Sequence, residues 1–230
     1  MTERNTYSLM QRLCQSKSCN RLAGRVPPGE TQRDLEASLT RAIKTFISEA
    51  KLTRAGVTMP GEAAHDRLLD TITRCLERAV HEGRRRATGR QERGIISAVR
   101  NLAGRAVQLT SDIVDSLQSK ARDILTALFG SNDVEDIEAT IAEAENKLEE
   151  WRERYAEGVA ENEIQTAIME TIYEVGREEG VTLMEIVTDP DACDVCKGIA
   201  EENPLVSIED GEKLPPYHFR CKCGALFHEE

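Results

Sequence analysis

Five residues near the end of the chain carry the chemistry of a soft metal centre. Cys193 and Cys196 form a Cys-x2-Cys pair, twenty-one residues follow, and His218, Cys221 and Cys223 then fall within six positions. Two thiolates at the first spacing reach one ion from a single tight turn. Cys221 and Cys223 differ by two, so on an extended strand they share a face. Pro215-Pro216 stiffens the approach to His218. The intervening Gly198, Asn203, Pro204 and Gly211 let that segment fold back as a loop or hairpin.

A tetrahedral zinc site takes four ligands, and five are offered. The spacing predicts Cys193, Cys196 and Cys221 with either His218 or Cys223, the fifth group lying beside the ion or staying a packed thiol. His228 is a further candidate close to the end of the sequence. Thiolates with one imidazole select zinc over magnesium or calcium. A module this small cannot bury a full core, so the ion, Zn2+, would be structural and supply folding energy.

Catalytic readings of the same residues fit poorly. A catalytic zinc keeps an open position and a nearby general base; Asp189, Asp191 and Asp194 are near, but acidic residues are common in turns. A zinc deaminase needs His-x-Glu followed by Pro-Cys-x-x-Cys. Here Ala192 precedes Cys193, and Glu82 directly follows His81. A redox Cys-x-x-Cys belongs in a βαβ context, which the flanking pattern lacks. No serine elbow, phosphate loop or His-Glu-x-x-His is present, and the expectation is that the chain is not an enzyme.

A second group of residues could act through charge. Arg84, Arg85, Arg86, Arg90 and Arg93 form a basic stretch interrupted by Gly83 and Gly89. It is either a solvated turn and first helical turn or a contact for DNA phosphates or an acidic protein surface. No aromatic residue interleaves it, which argues against stacking on single strands. The remaining cysteines read differently: Cys75 lies on an apolar helix face and is expected in the core, and Cys14 and Cys19 have no matching second pair nearby.

Helices must position these groups. The 230 residues are 40% hydrophobic, 4% aromatic and 31% charged, the balance of long surface-exposed helices. Helices are predicted over 32–55 (Leu35, Leu39, Ile43, Phe46, Ile47 and Ala50 inward) and 62–82, with Thr31 and Asp34 capping the first. Residues 1–30 are weakly patterned and read as a partly ordered arm ending at Val26-Pro27-Pro28-Gly29. Between 91 and 157, Val99, Leu102, Ala106, Leu109, Ile113, Leu117, Ala121, Ile124 and Leu128 mark one stripe at alternating three and four. Val134, Ile137, Ile141, Ala144, Leu148, Trp151 and Tyr155 mark another after a Gly130-Ser131-Asn132 break, with Asn132 and Glu135 as caps. The short break predicts an antiparallel hairpin whose first helix is about 55–60 Å long at 1.5 Å per residue. A further helix is expected over 161–179 and a short β run from Val181 to Val187. The fold class is thus mainly α: arm 1–30, helical body 31–159, and an α+β zinc-binding module within 160–230.

Charge is divided. Residues 1–132 carry a net +8 and residues 133–230 a net −19, for −11 overall. Either the halves neutralise each other or the basic half and the acidic half meet different partners. No apolar run spans a membrane, and the first residues lack the core of a signal peptide. The chain is therefore expected to start in a cytoplasm, where thiols stay reduced and clustered cysteines bind metal.

The stretch Thr188-Asp189-Pro190-Asp191-Ala192-Cys193-Asp194-Val195-Cys196, with Pro215-Pro216-Tyr217-His218-Phe219-Arg220-Cys221-Lys222-Cys223, resembles the C-terminal signature of phage Mu F-like head morphogenesis proteins. The resemblance covers about residues 160–227. Phe219 and Lys222 stand where that family usually has Pro and Arg, and a Trp common before the Asp is missing. The resemblance implies a minor capsid protein of a tailed virus or prophage. It would be made in the host cytoplasm and sit in several copies inside the head near the portal vertex. Its partners would be the portal protein or the major capsid protein, or both, with packaged double-stranded DNA as a further candidate. A zinc-dependent DNA-binding regulator is the alternative.

Overall fold

The computed structural model describes residues 30–88, 102–130 and 136–228. Among these the chain forms α1 (Glu30–Ser48), β1 (Lys51–Thr53), β2 (Gly56–Thr58), α2 (Glu62–Thr88), α3 (Leu102–Phe129) and α4 (Ile137–Glu178). It continues through β3 (Leu183–Val187), α5 (Asp194–Glu202), β4 (Leu205–Ser207), a 3-10 turn (Gly211–Lys213) and β5 (Gly224–His228). The protein is mainly α, with its larger sheet confined to the C-terminal region that holds the Cys/His residues. No helix among the described residues is long and apolar enough to cross a membrane.

Two compact units divide the chain, and the division falls within α1 after Gln32, within α2 after Arg78 and within α4 after Ile164. Helix α4 is a single helix of 42 residues that runs across residue 159. The gap foreseen between helices at 157 and 161 is closed. Gly158 costs about 1 kcal/mol in a helix interior, and burial of Ala156, Val159, Ala160 and Ile164 around it offsets that.

The unit containing residues 33–78, 102–130 and 136–164 is all helix apart from one hairpin. In α1, Leu35, Leu39, Ile43, Phe46 and Ile47 are buried, as their spacing demands. The helix stops at Ser48 rather than at 55. Lys51–Thr53 instead pairs antiparallel with Gly56–Thr58. The chain reverses at Gly56, where φ is +141°, a value that L side chains rarely adopt. Glu30 is already helical, so Thr31 lies inside α1 and does not cap it.

In α3 the predicted stripe is buried from Leu102 to Ile124, Leu125 joins it, Leu128 is half-buried, and Val99 lies outside the described residues. Its 28 residues give about 42 Å. Arg105 donates to Glu163 at 2.9 Å, and Tyr155 is hydrogen-bonded to Ser116. As the α3 partner advances from 105 to 116, the α4 partner retreats from 163 to 155, which makes the two helices antiparallel. Val134 and the expected caps Asn132 and Glu135 lie outside the described residues. Asp136 starts α4, its carboxylate accepting the amide of Ala139 at 3.0 Å.

The unit containing residues 30–32, 79–88 and 165–228 is built on the C-terminal part of α4. Helix α2 runs through Gly83 to Thr88 instead of ending near 82. Gly83 is where it meets α4: a Cβ there would lie 2.6 Å from the Ile168 carbonyl oxygen and 2.8 Å from Thr171 Cβ. On another side, Gly176 admits the sheet, for its Cβ would meet Ile208 and Phe227 below 3 Å. The sheet is antiparallel with order β4-β3-β5, and Met184 faces Val206 on one side and Phe227 on the other. Alternation in β3 buries Met184 and Ile186 and exposes Glu185.

Candidate metal centre

The cysteines and histidine come from two limbs. The first limb begins with an Asx-type turn in which the Asp189 carboxylate accepts the Asp191 amide at 2.9 Å and the Asp189 carbonyl accepts the Ala192 amide at 2.9 Å. This turn delivers Cys193 as the N-cap residue of α5 and Cys196 in its first turn. The second limb follows the cis Pro215-Pro216 peptide. The Cys221 amide donates to the His218 carbonyl at 3.0 Å, closing a turn in which Arg220 takes a left-handed φ of 63°. That value costs a non-glycine residue about 1–2 kcal/mol. Cys223 then leads into β5.

The limbs meet at sulfur and nitrogen. His218 Nε2 lies 3.0 Å from Cys196 Sγ and 3.2 Å from Cys193 Sγ, and Cys196 Sγ lies 3.7 Å from Cys221 Sγ. Two triads result, Cys193/Cys196/His218 and Cys196/Cys221/Cys223, each with its ligand atoms within 4.8 Å of one another. Cys196 belongs to both. Cys196, Cys221 and Cys223 are buried, whereas Cys193 and His218 face solvent. Ala192 and Tyr217 pack against the buried thiols.

The histidine is already oriented as a ligand. Its Nδ1 is 2.8 Å from the Phe219 carbonyl oxygen, which can only accept, so Nδ1 carries the proton. The unprotonated Nε2 lone pair of the neutral ring therefore points at the two sulfurs. A second nitrogen bonded to a backbone carbonyl is the usual support of a metal-bound histidine.

Charge in the centre is uneven. The Cys196 amide is the main influence drawing the Cys193 thiol down to about 7, with the Cys196 and His218 side chains assisting. Burial pushes the Cys196 thiol well up, and the sulfurs of Cys221, Cys223 and Cys193 add to it. Burial likewise raises Cys223, against the opposing amide of Asp189. The Phe219 carbonyl, with help from Cys193, raises His218. Cys196 and Cys223, crowded in a dry site, resist ionisation unless a cation compensates them, and a coordinated thiol is deprotonated outright. The cluster can hold a metal ion, and its donors suit a thiophilic one.

Residues that spacing did not single out hold the limbs in place. Tyr173 of α4, 7% exposed, donates its hydroxyl to the Pro215 carbonyl at 2.6 Å. Gln165 of α4 donates to the Cys223 carbonyl at 3.4 Å. Both lie more than forty residues from their partners, and no local pattern marks them. His228 ends β5, with its neighbours paired into the sheet, and belongs to neither triad.

The arginine stretch is partly committed elsewhere. Glu82, 4% exposed, accepts from Arg85 at 2.6 and 2.7 Å and from Arg86 at 2.9 Å. The Arg86 side chain is 6% exposed and also donates to Gln32. Arg84 is half-buried and Arg85 remains about half open to solvent. Arg90 and Arg93, like Cys14 and Cys19, lie outside the described residues. Cys75 is in the core, as its helix face requires.

One further concavity, about 510 Å³, lies along α1 and α4. Its lining alternates Arg33, Arg41 and Lys44 with Glu36, Glu157 and Glu161. Lys44 is ion-paired with Glu153 and Glu157, so the groove presents compensated charge. Compared with protein families, with curated proteins and with solved structures, the chain matches none.

Proposed function

We propose that the C-terminal module is a structural zinc site, with Cys193, Cys196, Cys221 and His218 as the ligands and Cys223 as a buried thiol beside them. The observation that carries this is the aim of His218 Nε2 at Cys193 and Cys196 while Nδ1 is occupied by a carbonyl. Zinc would join two limbs more than twenty residues apart and replace the core that five short elements cannot build. It would leave no open position for chemistry.

On this reading the chain acts by docking, as a minor protein of a tailed-virus head, at the portal and capsid interior. The paired Cys/His limbs support it through their resemblance to the Mu F-like signature, and the long helices suit a part that spans or clamps. DNA contact would be confined to the N-terminal half, since residues 133–230 carry a net −19. Arg84 and Arg85 are its described candidates.

Metal analysis of the purified full chain tests the first part: one zinc per chain is expected, retained in Cys223→Ser and lost in His218→Ala. A chain free of zinc after purification without chelator overturns it. Genes for portal and head proteins beside the coding gene are expected from the second part. Neighbours that encode no head component overturn that part alone.

A further inference from the structure

Four polar or charged residues among those described are buried: Gln32, Glu82, Thr110 and Thr171. The two threonines are satisfied within their own helices, each donating to the carbonyl four residues back. Glu82 is likewise satisfied within its own helix, by Arg85 and Arg86, whereas Gln32 bonds residues remote in sequence, Arg86 and Gln165. Glu82 and Gln32 belong to one file of hydrogen bonds that begins at an ion pair and ends on the metal centre.

The file has a single direction. Glu82 holds the Arg86 Nε at 2.9 Å, which leaves Nη2 to donate to Gln32 Oε1 at 2.9 Å. Gln32 Nε2 donates to Gln165 Oε1 at 3.2 Å, and Gln165 Nε2 donates to the Cys223 carbonyl at 3.4 Å. Every amide has one assignment that satisfies both neighbours, since the guanidinium can only donate and the carbonyl can only accept. Residues from α1, α2 and α4 thus converge on the backbone of one cysteine. Burying such groups is costly unless each is paired, and apolar residues would fill the same space without the cost.

We infer that Gln165, held in place by Gln32 and Arg86, is a positioning residue for the Cys221/Cys223 limb of the metal centre. The inference rests on the zinc reading above. Gln165 fixes the start of β5 against α4 and so sets how closely Cys221 approaches Cys196 across the join. Loss of a group bonded directly to a ligand typically costs about 10–100-fold in metal affinity; Gln165 acts one step further out, through the Cys223 backbone, so the lower end of that range is expected.

The test is zinc affinity of the full chain, measured by competition with a chromophoric chelator. The variants are Gln165→Leu, the isosteric Gln165→Glu (which keeps the acceptor and removes the donor), Gln32→Met and the Gln32→Met/Gln165→Leu double. Each Gln165 variant should bind about tenfold more weakly, and Gln32→Met should bind more weakly as well. The double should be no weaker than Gln165→Leu, because Gln32 acts only through Gln165; independent packing effects would add instead. Thiolate-to-cobalt absorption of the Co2+-loaded chain should shift in Gln165→Glu, while the helical circular dichroism stays unchanged. Wild-type affinity and spectrum in Gln165→Glu, or additive losses in the double, overturn the positioning role while leaving the zinc site intact. A wild-type chain that binds no zinc overturns both.

Discussion

Cys196 Sγ lies 3.7 Å from Cys221 Sγ across 25 residues of chain. About 3.8 Å separates two sulfurs bound to one tetrahedral zinc, given a Zn–S bond near 2.3 Å. The separation joins two limbs, each a tight turn with little apolar surface of its own. Cys196 is also the one residue common to both triads, which makes it the hinge of the centre.

Cys196→Ser should therefore abolish the site rather than trim it. Zinc affinity is expected to fall by more than the roughly 10–100-fold that an outer-shell loss costs. Residues 189–223 should lose amide-exchange protection while far-ultraviolet circular dichroism changes little, because the helices draw on separate cores. Retained zinc at wild-type affinity would remove Cys196 from the ligand set.

Tyr173→Phe isolates one strut of the second limb. The Pro215 carbonyl loses its 2.6 Å partner in a buried setting, at a cost of about 1–3 kcal/mol. Urea unfolding should record that loss, with a lowered midpoint and an unchanged slope. A variant as stable as the wild type would mean that water replaces the hydroxyl.

Acid should weaken the protein partly through Glu82. Burial opposes ionisation of this carboxyl, but hydrogen bonds from Arg85 and Arg86 outweigh it and hold the pKa below the ordinary carboxylate range. A folded pKa below the unfolded one gives stability that is full above about pH 4.3 and is lost as pH falls through the folded value. Glu82→Gln should remove this component and flatten the acid limb of the stability curve. At neutral pH it leaves the Arg86 guanidinium buried without its countercharge, at about 3 kcal/mol. Parallel acid limbs for variant and wild type would assign the acid sensitivity to other groups.

Two glycine substitutions should differ in outcome. Gly83→Ala places a methyl 2.6 Å from a backbone carbonyl oxygen, so α2 or α4 must shift, at about 1–3 kcal/mol. Gly176→Ala meets the ends of the Ile208 and Phe227 side chains at 2.7 and 2.8 Å, which can rotate aside. There the helical preference for alanine, about 1 kcal/mol, offsets much of the strain. Thermal unfolding should show a clear loss for the first and a small change for the second. The reverse order would refute this account of the helix contact.

Periodicity and spacing alone determined the mainly helical class, the inward faces of α1, α2 and α3, and the identity of the Cys/His residues. Each depends on neighbours three, four or two positions apart, whose relation a helix or turn geometry dictates. Elements whose ends depend on distant partners were not legible. Gly83 reads as a break until α4 presses against it, and Gly158 reads as a gap until it is buried. The run through residue 55 reads as helix on paper, yet Lys51–Thr53 pairs as a strand with Gly56–Thr58. The metal centre divides along the same line. Its thiols announce themselves by spacing, whereas Tyr173, Gln165, Gln32 and Arg86 serve it only because packing carries residues more than forty positions apart into hydrogen-bond range. Local chemistry belongs to the sequence; the convergence of remote polar groups on one carbonyl is decided only when the chain folds.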